Sequence, residues 1–294
     1  MKIAKLLHNP SAGDEDHSKK ELISLIRTHG YECNYASIKE KGWDEFEEET
    51  DFIIIAGGDG TVRKAVKKII ERKLIDKQFP IAVLPMGTAN NIATTLGFNS
   101  KEDIGLWEAK NIKRIDIGKI AGNEGLFFLE GFGYGVFPRL MKEMKVKDNE
   151  SDTPEKELQT ALKVLMEIID SYKAKSCVLD IDGIDHSGNY LLVEIMNIRS
   201  IGPNMTLAPM ADPGDGLFEI VLISENQRDE FKQYISDKLN GLEKPFKFST
   251  IQGKIIKIKW DGMLMHLDDE LIDNEKKEVK IEVMEGVLKF LFKP

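Results

Sequence analysis

The segment Ile55-Ala56-Gly57-Gly58-Asp59-Gly60-Thr61 joins an apolar run to a glycine-rich turn and then to a helix start. Glycines tolerate positive φ and let an anion approach the backbone closely. A helix that begins there adds free N–H groups and a partial positive charge. Asp59 is the informative member, because a carboxylate beside a phosphate is repulsive unless a cation stands between them. The loop therefore suggests a magnesium nucleotide, since Mg²⁺ takes a carboxylate or two together with phosphate oxygens. The plainer reading is a tight strand–helix turn with an aspartate cap. The loop is neither a Walker sequence nor a G-x-G-x-x-G fingerprint.

Two more loops of small polar residues stand in equivalent places. Asn9-Pro10-Ser11-Ala12-Gly13 follows a first apolar run, and Leu84-Pro85-Met86-Gly87-Thr88-Ala89-Asn90-Asn91 follows a later one. Each falls where a strand ends and a helix begins, the edge at which open α/β sheets bind ligands.

The elements that must position these loops alternate. Strands are expected over Lys2–His8, Glu32–Ile38, Asp51–Ala56 and Pro80–Leu84. Helices are expected from a Ser18 cap to Gly30, over Trp43–Glu48, Thr61–Lys73 and Thr88–Leu96. That order implies a mostly parallel sheet covered by helices. Beyond about Asp116 strands crowd together: Arg114–Ile120, Glu124–Phe132, Ala174–Ile181, Tyr190–Ile198, Leu217–Ser224, Gly253–Lys259, Met263–Asp268 and Glu278–Val283. Turns containing Asp182-Gly183, Ser187-Gly188 and Asp261-Gly262 read as hairpins. Helices are expected near Gly135–Lys145, Pro154–Tyr172 and Gln227–Leu239. The fold class is thus an α/β N-terminal domain over about residues 1–120, followed by a mainly antiparallel sheet domain. The acidic run Glu45–Glu49 reads as a solvated helix face, and Lys142–Lys147 with Asp148–Asp152 as an exposed loop.

With 41 Lys and Arg against 50 Asp and Glu, the net charge is −9. An acidic chain is a poor nucleic-acid binder, because that affinity comes largely from phosphate neutralisation. Apolar runs are too short to span a bilayer. Met1–His8 reads as a strand rather than a signal peptide. Cys33 and Cys177 read as two reduced structural thiols, so a cytoplasmic protein is expected.

Asn9-Pro-Ser-Ala-Gly13, Gly57-Gly-Asp-Gly-Thr61 and Pro85-Met-Gly-Thr-Ala-Asn90 together resemble the diacylglycerol kinase catalytic-domain family, most of all its soluble bacterial lipid kinases. NAD kinases and phosphofructokinases share the central loop more distantly. Asp116-Ile117-Gly118, Asn197, Ala208-Pro209, Asp215-Gly216-Leu217 and Asp268-Asp269-Glu270 resemble later signatures of the same family. The resemblance implies a nucleotide-binding α/β domain over 1–120 that the last residues, 286–294, rejoin, a larger β-sandwich domain over 121–285, and a cleft between them.

It also implies roles. ATP is expected at Asn9, Pro10, Ser11, Ala12 and Gly13, at Ser37, along Gly57, Gly58, Asp59, Gly60, Thr61, Val62 and Arg63, and at Thr88. Glu270 is expected to act as the base that takes the proton of a lipid hydroxyl, with Asp59 and Asp116 organising catalytic Mg²⁺. A structural Mg²⁺ is expected at Asp215, with main-chain oxygens of Asp212 and Leu217; oxygen-only ligands suit this hard ion. His266 reads as a structural strand histidine.

The pattern departs from the family at Lys64, where a glutamate is usual, at Asn91, where an aspartate is usual, and at Asp269, in place of a glycine. The resulting expectation is an ATP- and Mg²⁺-dependent lipid kinase acting on diacylglycerol or a related lipid. It would touch membrane surfaces transiently and is a possible homodimer. Apolar residues around Phe127–Phe137 and Met205–Met210 read either as core or as a surface that receives acyl chains. A non-catalytic nucleotide- or lipid-binding regulator and an NAD kinase stay open as alternatives.

Overall fold

The computed structural model describes every residue except 14–16, 73–76, 108–109, 124, 148–152, 275–276 and 294. The chain forms two compact units, Met1–Ile115 with Val287–Pro294, and Asp116–Gly286.

In the first unit β1 (Lys2–His8), α1 (Lys19–Thr28), β2 (Tyr31–Ser37), β3 (Phe52–Gly57), α2 (Asp59–Ile70), β4 (Ile81–Pro85) and α3 (Asn91–Thr95) follow in order. The strands lie parallel in the order β2-β1-β3-β4. Every residue of β3 is buried, as a central parallel strand requires when both faces are covered. The register pairs His8 with Ser37 and with Ala56, and Gly57 with Pro85. The loops after these strands therefore leave from one edge. Ser18 and Glu21 form a capping box that starts α1, and Leu22 and Ile26, one turn apart, are its buried stripe. Along α2 the buried Val62, Ala65 and Val66 have the same helical spacing.

Two helix expectations change here. Trp43–Glu48 is a run of turns and open chain. Lys5, buried on β1, fixes it by donating to the Glu45 carbonyl and the Glu47 carboxylate, while Trp43 is buried. A buried ammonium needs several oxygens, and an open segment supplies both a carbonyl and a carboxylate. The expected Thr88–Leu96 helix shrinks to Asn91–Thr95, because Asn90 holds a left-handed conformation, φ 54°, that a helix interior does not allow.

β5 (Ile112–Ile120) leads into the second unit. There β6 (Phe127–Phe128), β7 (Gly131–Gly135), α4 (Val136–Lys147), α5 (Pro154–Ser171), β8 (Lys175–Ile181), β9 (Ile184–Asp185) and β10 (Gly188–Met196) come first. β11 (Ser200–Ile201), β12 (Met205–Thr206), β13 (Phe218–Ser224), α6 (Arg228–Leu239), β14 (Thr250–Gly253), β15 (Ile255–Trp260), β16 (Leu264–Leu267), β17 (Glu270–Asp273) and β18 (Val279–Leu291) complete it. The main path is antiparallel, β17-β16-β7-β10-β8-β15-β18. β10 is its pivot: Gly188–Tyr190 pair with β8, and Leu192–Met196 pair with both β7 and β13, with a register shift between. Val193 and Ile195 join one core with Phe132, Leu179 and Trp260. Leu192 and Met196, on the opposite face, join another with α4, α5 and α6.

Lys142–Lys147 belong to α4, not to a loop; the acidic residues that follow lie outside the described residues. The expected Glu278–Val283 strand runs on into the rejoining residues as one strand, β18, whose Phe290 pairs parallel with Ile81 of the first unit's sheet. Among the described residues no helix is long and apolar enough to cross a membrane.

Candidate active site

The three loops of the first unit are packed on one another backbone to backbone. A Cβ on Gly87 would stand 2.4 Å from the Gly58 Cα, and one on Gly13, at φ +59°, 2.5 Å from the Met86 carbonyl oxygen. A Cβ on Gly57 would meet the Thr61 side chain at 2.5 Å. Only glycine permits these contacts. Polar bonds complete the cluster. Asn9 donates from its backbone to the Ala56 carbonyl and from Nδ2 to Thr61 Oγ1, at 3.0 Å. The Met86 N–H donates to the Gly57 carbonyl, and Asn90 and Gly87 exchange two hydrogen bonds.

Asp59 has a definite place in this cluster. Its two carboxylate oxygens accept the N–H groups of Asn91 and Ile92, each at 2.9 Å. It thus caps α3 from the first turn of α2 and braces the third loop against the second. Gly58, the N-cap of α2, supplies no side-chain cap. Val62 and Arg63 are buried, so the half-buried part of this stretch is Gly58–Gly60. Thr88 is half-buried on the third loop. Ser37 is buried beside His8, and its Oγ accepts the Lys39 N–H. Lys64 donates to the Ile38 carbonyl at 3.1 Å and lies over the Trp43 ring.

Ala12 is held by a chain of rings that the sequence reading passed over. His17 Nε2 lies 2.9 Å from the Ala12 carbonyl, His8 Nε2 2.9 Å from His17 Nδ1, and the Tyr35 hydroxyl 3.0 Å from His8 Nδ1. Burial, and then the neighbouring His17, lower the His8 pKa to about 4.

In the second unit Asp116 is 1% exposed. Its carboxylate accepts the N–H groups of Gly216, at 2.8 Å, and Gly286, at 2.6 Å. Burial pushes its pKa up against those two donors, and the charges of Asp215 and Glu285 push it further. This carboxylate clamps the Asp215-Gly216-Leu217 turn. Asn197 ties the same strand by donating to the Asp116 and Leu129 carbonyls, both at 2.9 Å.

In the turn itself Asp215 is exposed, its Oδ1 accepts the Leu217 N–H, and the Asp212 carbonyl accepts the Asp215 N–H. Among the described residues no cluster of three or more His, Cys, Asp or Glu side chains has a metal-binding arrangement. What the turn offers is oxygen alone in an acidic setting, which suits a hard cation.

Asp268-Asp269 is the two-residue turn of the β16–β17 hairpin, with Leu267 paired to Glu270. Asp268 adopts φ 51°. Its carboxylate makes that affordable by accepting the N–H groups of Leu129, Glu130 and Gly131, the shortest at 2.7 Å. Asp268 anchors this turn, and Asp269 and Glu270 are its exposed carboxylates.

Behind the turn the structural histidine His266 pairs with Glu194, the partner that sequence reasoning missed. His266 Nε2 is 3.0 Å from both oxygens of Glu194, and His266 Nδ1 is 3.0 Å from the Asp268 carbonyl. Both side chains are fully buried. Burial raises the Glu194 pKa. For His266 burial opposes the charge, but the Glu194 carboxylate prevails and raises it. A signal existed: Glu194 interrupts Leu191-Leu192-Val193-Glu194-Ile195-Met196, and period-two alternation sends it to the face of Leu192 and Met196.

The core reading holds for Phe127, Phe128, Phe132, Phe137, Met205 and Leu207, which are buried, while Pro209 and Met210 are exposed, the latter at 80%.

Residues 4–120 match the diacylglycerol kinase catalytic domain, and residues 143–292 match the YegS C-terminal NAD kinase beta sandwich-like domain. A Bacillus subtilis (strain 168) protein named "Diacylglycerol kinase" is 28% identical over 264 residues, 82% of this chain and 80% of its own. A Yersinia enterocolitica protein named "Probable lipid kinase YegS-like" is 30% identical over 231 residues, 74% of this chain and 73% of its own. A crystal structure of a diacylglycerol kinase from Bacillus anthracis superposes with a TM-score of 0.73 at 22% identity, covering 100% of this chain and 97% of that one. An NAD kinase from Archaeoglobus fulgidus, solved in complex with ATP, gives 0.57 at 15% identity, covering 99% and 93%. These two share the fold.

A parallel α/β unit with glycine-packed loops and an antiparallel β-sandwich define a kinase of the NAD kinase-like architecture. The chain belongs to the diacylglycerol kinase catalytic-domain family of lipid kinases.

Proposed function

We propose that the chain transfers the terminal phosphoryl group of ATP to the hydroxyl of a lipid such as diacylglycerol. The observation that carries this reading is the fusion of the Asn9–Gly13, Gly57–Thr61 and Pro85–Asn90 loops through glycines at 13, 58 and 87. It leaves backbone at the carboxyl edge of the sheet, where the first turn of α2 can receive phosphate. Ser37, at the end of β2, and Thr88, on the third loop, are the candidates to complete nucleotide contact.

Phosphoryl transfer needs positioning and charge neutralisation more than covalent help from the protein. In this reading Glu270 takes the proton of the lipid hydroxyl as that oxygen bonds to the γ-phosphorus and the bond to ADP breaks. Asp59 keeps the phosphate loops in register. Magnesium, when bound, supplies neutralisation of the phosphate charge. Asp215, with the Asp212 and Leu217 carbonyls, is the fitting set for a second, structural ion. The two departures that favour a non-catalytic regulator have local accounts: Lys64 reaches the Ile38 carbonyl, and Asn91 meets Asp59 through its backbone N–H.

The test is incubation of the protein with γ-labelled ATP, Mg²⁺ and a total lipid extract. A labelled phosphate monoester of a lipid is expected, and its identification names the acceptor. Label transferred only to NAD in a parallel incubation, or to no product, would reject the reading.

A further inference from the structure

The imidazoles of His8 and His17 are 1% and 8% exposed, and neither is part of the kinase chemistry described above. They connect Tyr35 of β2 to the carbonyl of Ala12 in the first loop. The carbonyl fixes the sense of the chain at one end, because it can only accept. His17 Nε2 must therefore carry a proton. A single proton then lies between His17 Nδ1 and His8 Nε2, which are 2.9 Å apart. Burial disfavours a charged ring, and with both rings neutral that proton sits on His8 Nε2, whereas a charged His17 would carry it on Nδ1.

We infer that Tyr35, His8 and His17 form an uncharged donor chain that positions the first phosphate loop. The Tyr35 hydroxyl donates to His8 Nδ1, His8 Nε2 donates to His17 Nδ1, and His17 Nε2 donates to the Ala12 carbonyl. The consequence for the loop follows from peptide geometry. The Ala12 carbonyl and the Gly13 N–H belong to one planar trans unit and point in opposite directions. Drawing the carbonyl onto buried His17 turns the Gly13 N–H the other way and keeps a repulsive carbonyl dipole off an incoming phosphate. Gly13 is held in that orientation at φ +59°, with no room for a side chain against Met86. His17 is thus a positioning residue, acting on nucleotide through Ala12 and Gly13. The inference rests on the proposal that this loop receives ATP.

The test has two arms. In the wild-type protein at pH 7, long-range ¹H–¹⁵N spectra of the imidazoles are expected to show both His8 and His17 neutral and protonated at Nε2. An imidazolium at either residue, or an Nδ1–H tautomer, would overturn the chain. This arm needs neither nucleotide nor a variant. In the second arm, His17→Leu removes the donor and is expected to raise the KM for ATP about tenfold, the scale of one lost hydrogen bond, with kcat changed less than about threefold. His17→Gln offers an amide acceptor and donor in its place and is expected to recover most of the loss. A folded His17→Leu with wild-type KM, or a Gln variant as impaired as Leu, would overturn the positioning role. If His17→Leu does not fold, Tyr35→Phe serves, with the loss of the His8 tautomer preference expected and its persistence counting against the chain. Failure of the wild type to use ATP at all would reject the kinase reading, while the spectra still decide the chain.

Discussion

Gly87 lies against Gly58 so closely that a methyl group on Gly87 would stand 2.4 Å from the Gly58 Cα and 3.1 Å from its nitrogen. Both obstacles are backbone, so no side chain can swing aside to admit it. Gly87→Ala must part the second and third loops, and overpacking of this kind costs about 1–3 kcal/mol. The expected outcome is a melting temperature lower by about 2–8 °C and kcat/KM for ATP reduced about tenfold or more. Thermal melts alongside steady-state kinetics check both. Unaltered ATP kinetics in the folded variant would remove this contact from nucleotide binding.

Glu270 is exposed, like Asp269 beside it, whereas Asp268 of the same hairpin turn is tied to three backbone N–H groups. That division of labour predicts separable effects. Glu270→Gln keeps the shape and removes the base, so kcat is expected to fall roughly 10²–10⁴-fold with the KM for ATP nearly constant. Melting should stay close to wild type. Turnover at the wild-type rate would end the role of Glu270 as base.

The parallel sheet and the three loops were legible because each rests on local pattern: all-apolar Phe52–Ala56, glycines at 57, 58 and 87, and Ser18 with Glu21 as a capping box. What stayed hidden depends on residues far apart in the chain. Asp116 is a clamp because Gly216 and Gly286, 100 and 170 positions later, present N–H groups to it. Trp43–Glu48 is not helical because buried Lys5, about 40 residues away, needs its oxygens. Phe132 and Met205 read equally well as a lipid-facing surface or as core, since hydrophobicity does not say which face is covered. The His8–His17 pair has no periodicity to announce it, as a strand end and a loop bring the rings together.

Burial makes His8 a pH-dependent element. Its pKa is lowered from 6.5 to about 4. The groups arranged around it are His17 and Tyr35, with Lys19 over the Tyr35 ring and Glu40 acting on the Tyr35 hydroxyl. Above pH 6.5 the ring is neutral both folded and unfolded, and its contribution to stability is intact. As pH falls below 6.5 the unfolded chain takes up the proton and the folded one does not, so stability falls until about pH 4 and then levels. Between pH 7 and 5 this loss amounts to about 2 kcal/mol. Denaturant melts across that interval are expected to show it, and His8→Gln should flatten the slope. A slope identical in the variant would assign the pH dependence elsewhere.

The Glu194–His266 pair makes the opposite kind of prediction, because its two members protect each other. Glu194→Gln is expected to be mild: an amide N–H can donate to a neutral His266 Nε2, leaving His266 Nδ1–H on the Asp268 carbonyl. His266→Phe strands a fully buried carboxylate, and removing one partner of a buried pair costs about 3–5 kcal/mol. Adding Glu194→Leu to His266→Phe removes the stranded charge and should return most of that stability. It does not return the donor to the Asp268 carbonyl, so the turn that presents Glu270 stays loosened. The double variant is therefore expected to melt near wild type while its kcat remains lowered, about tenfold for one lost hydrogen bond at the turn. Recovery of kcat together with stability would show that the pair serves the core alone. A kcat that stays low in a stable protein would show that buried His266 sets the hairpin from which Glu270 projects.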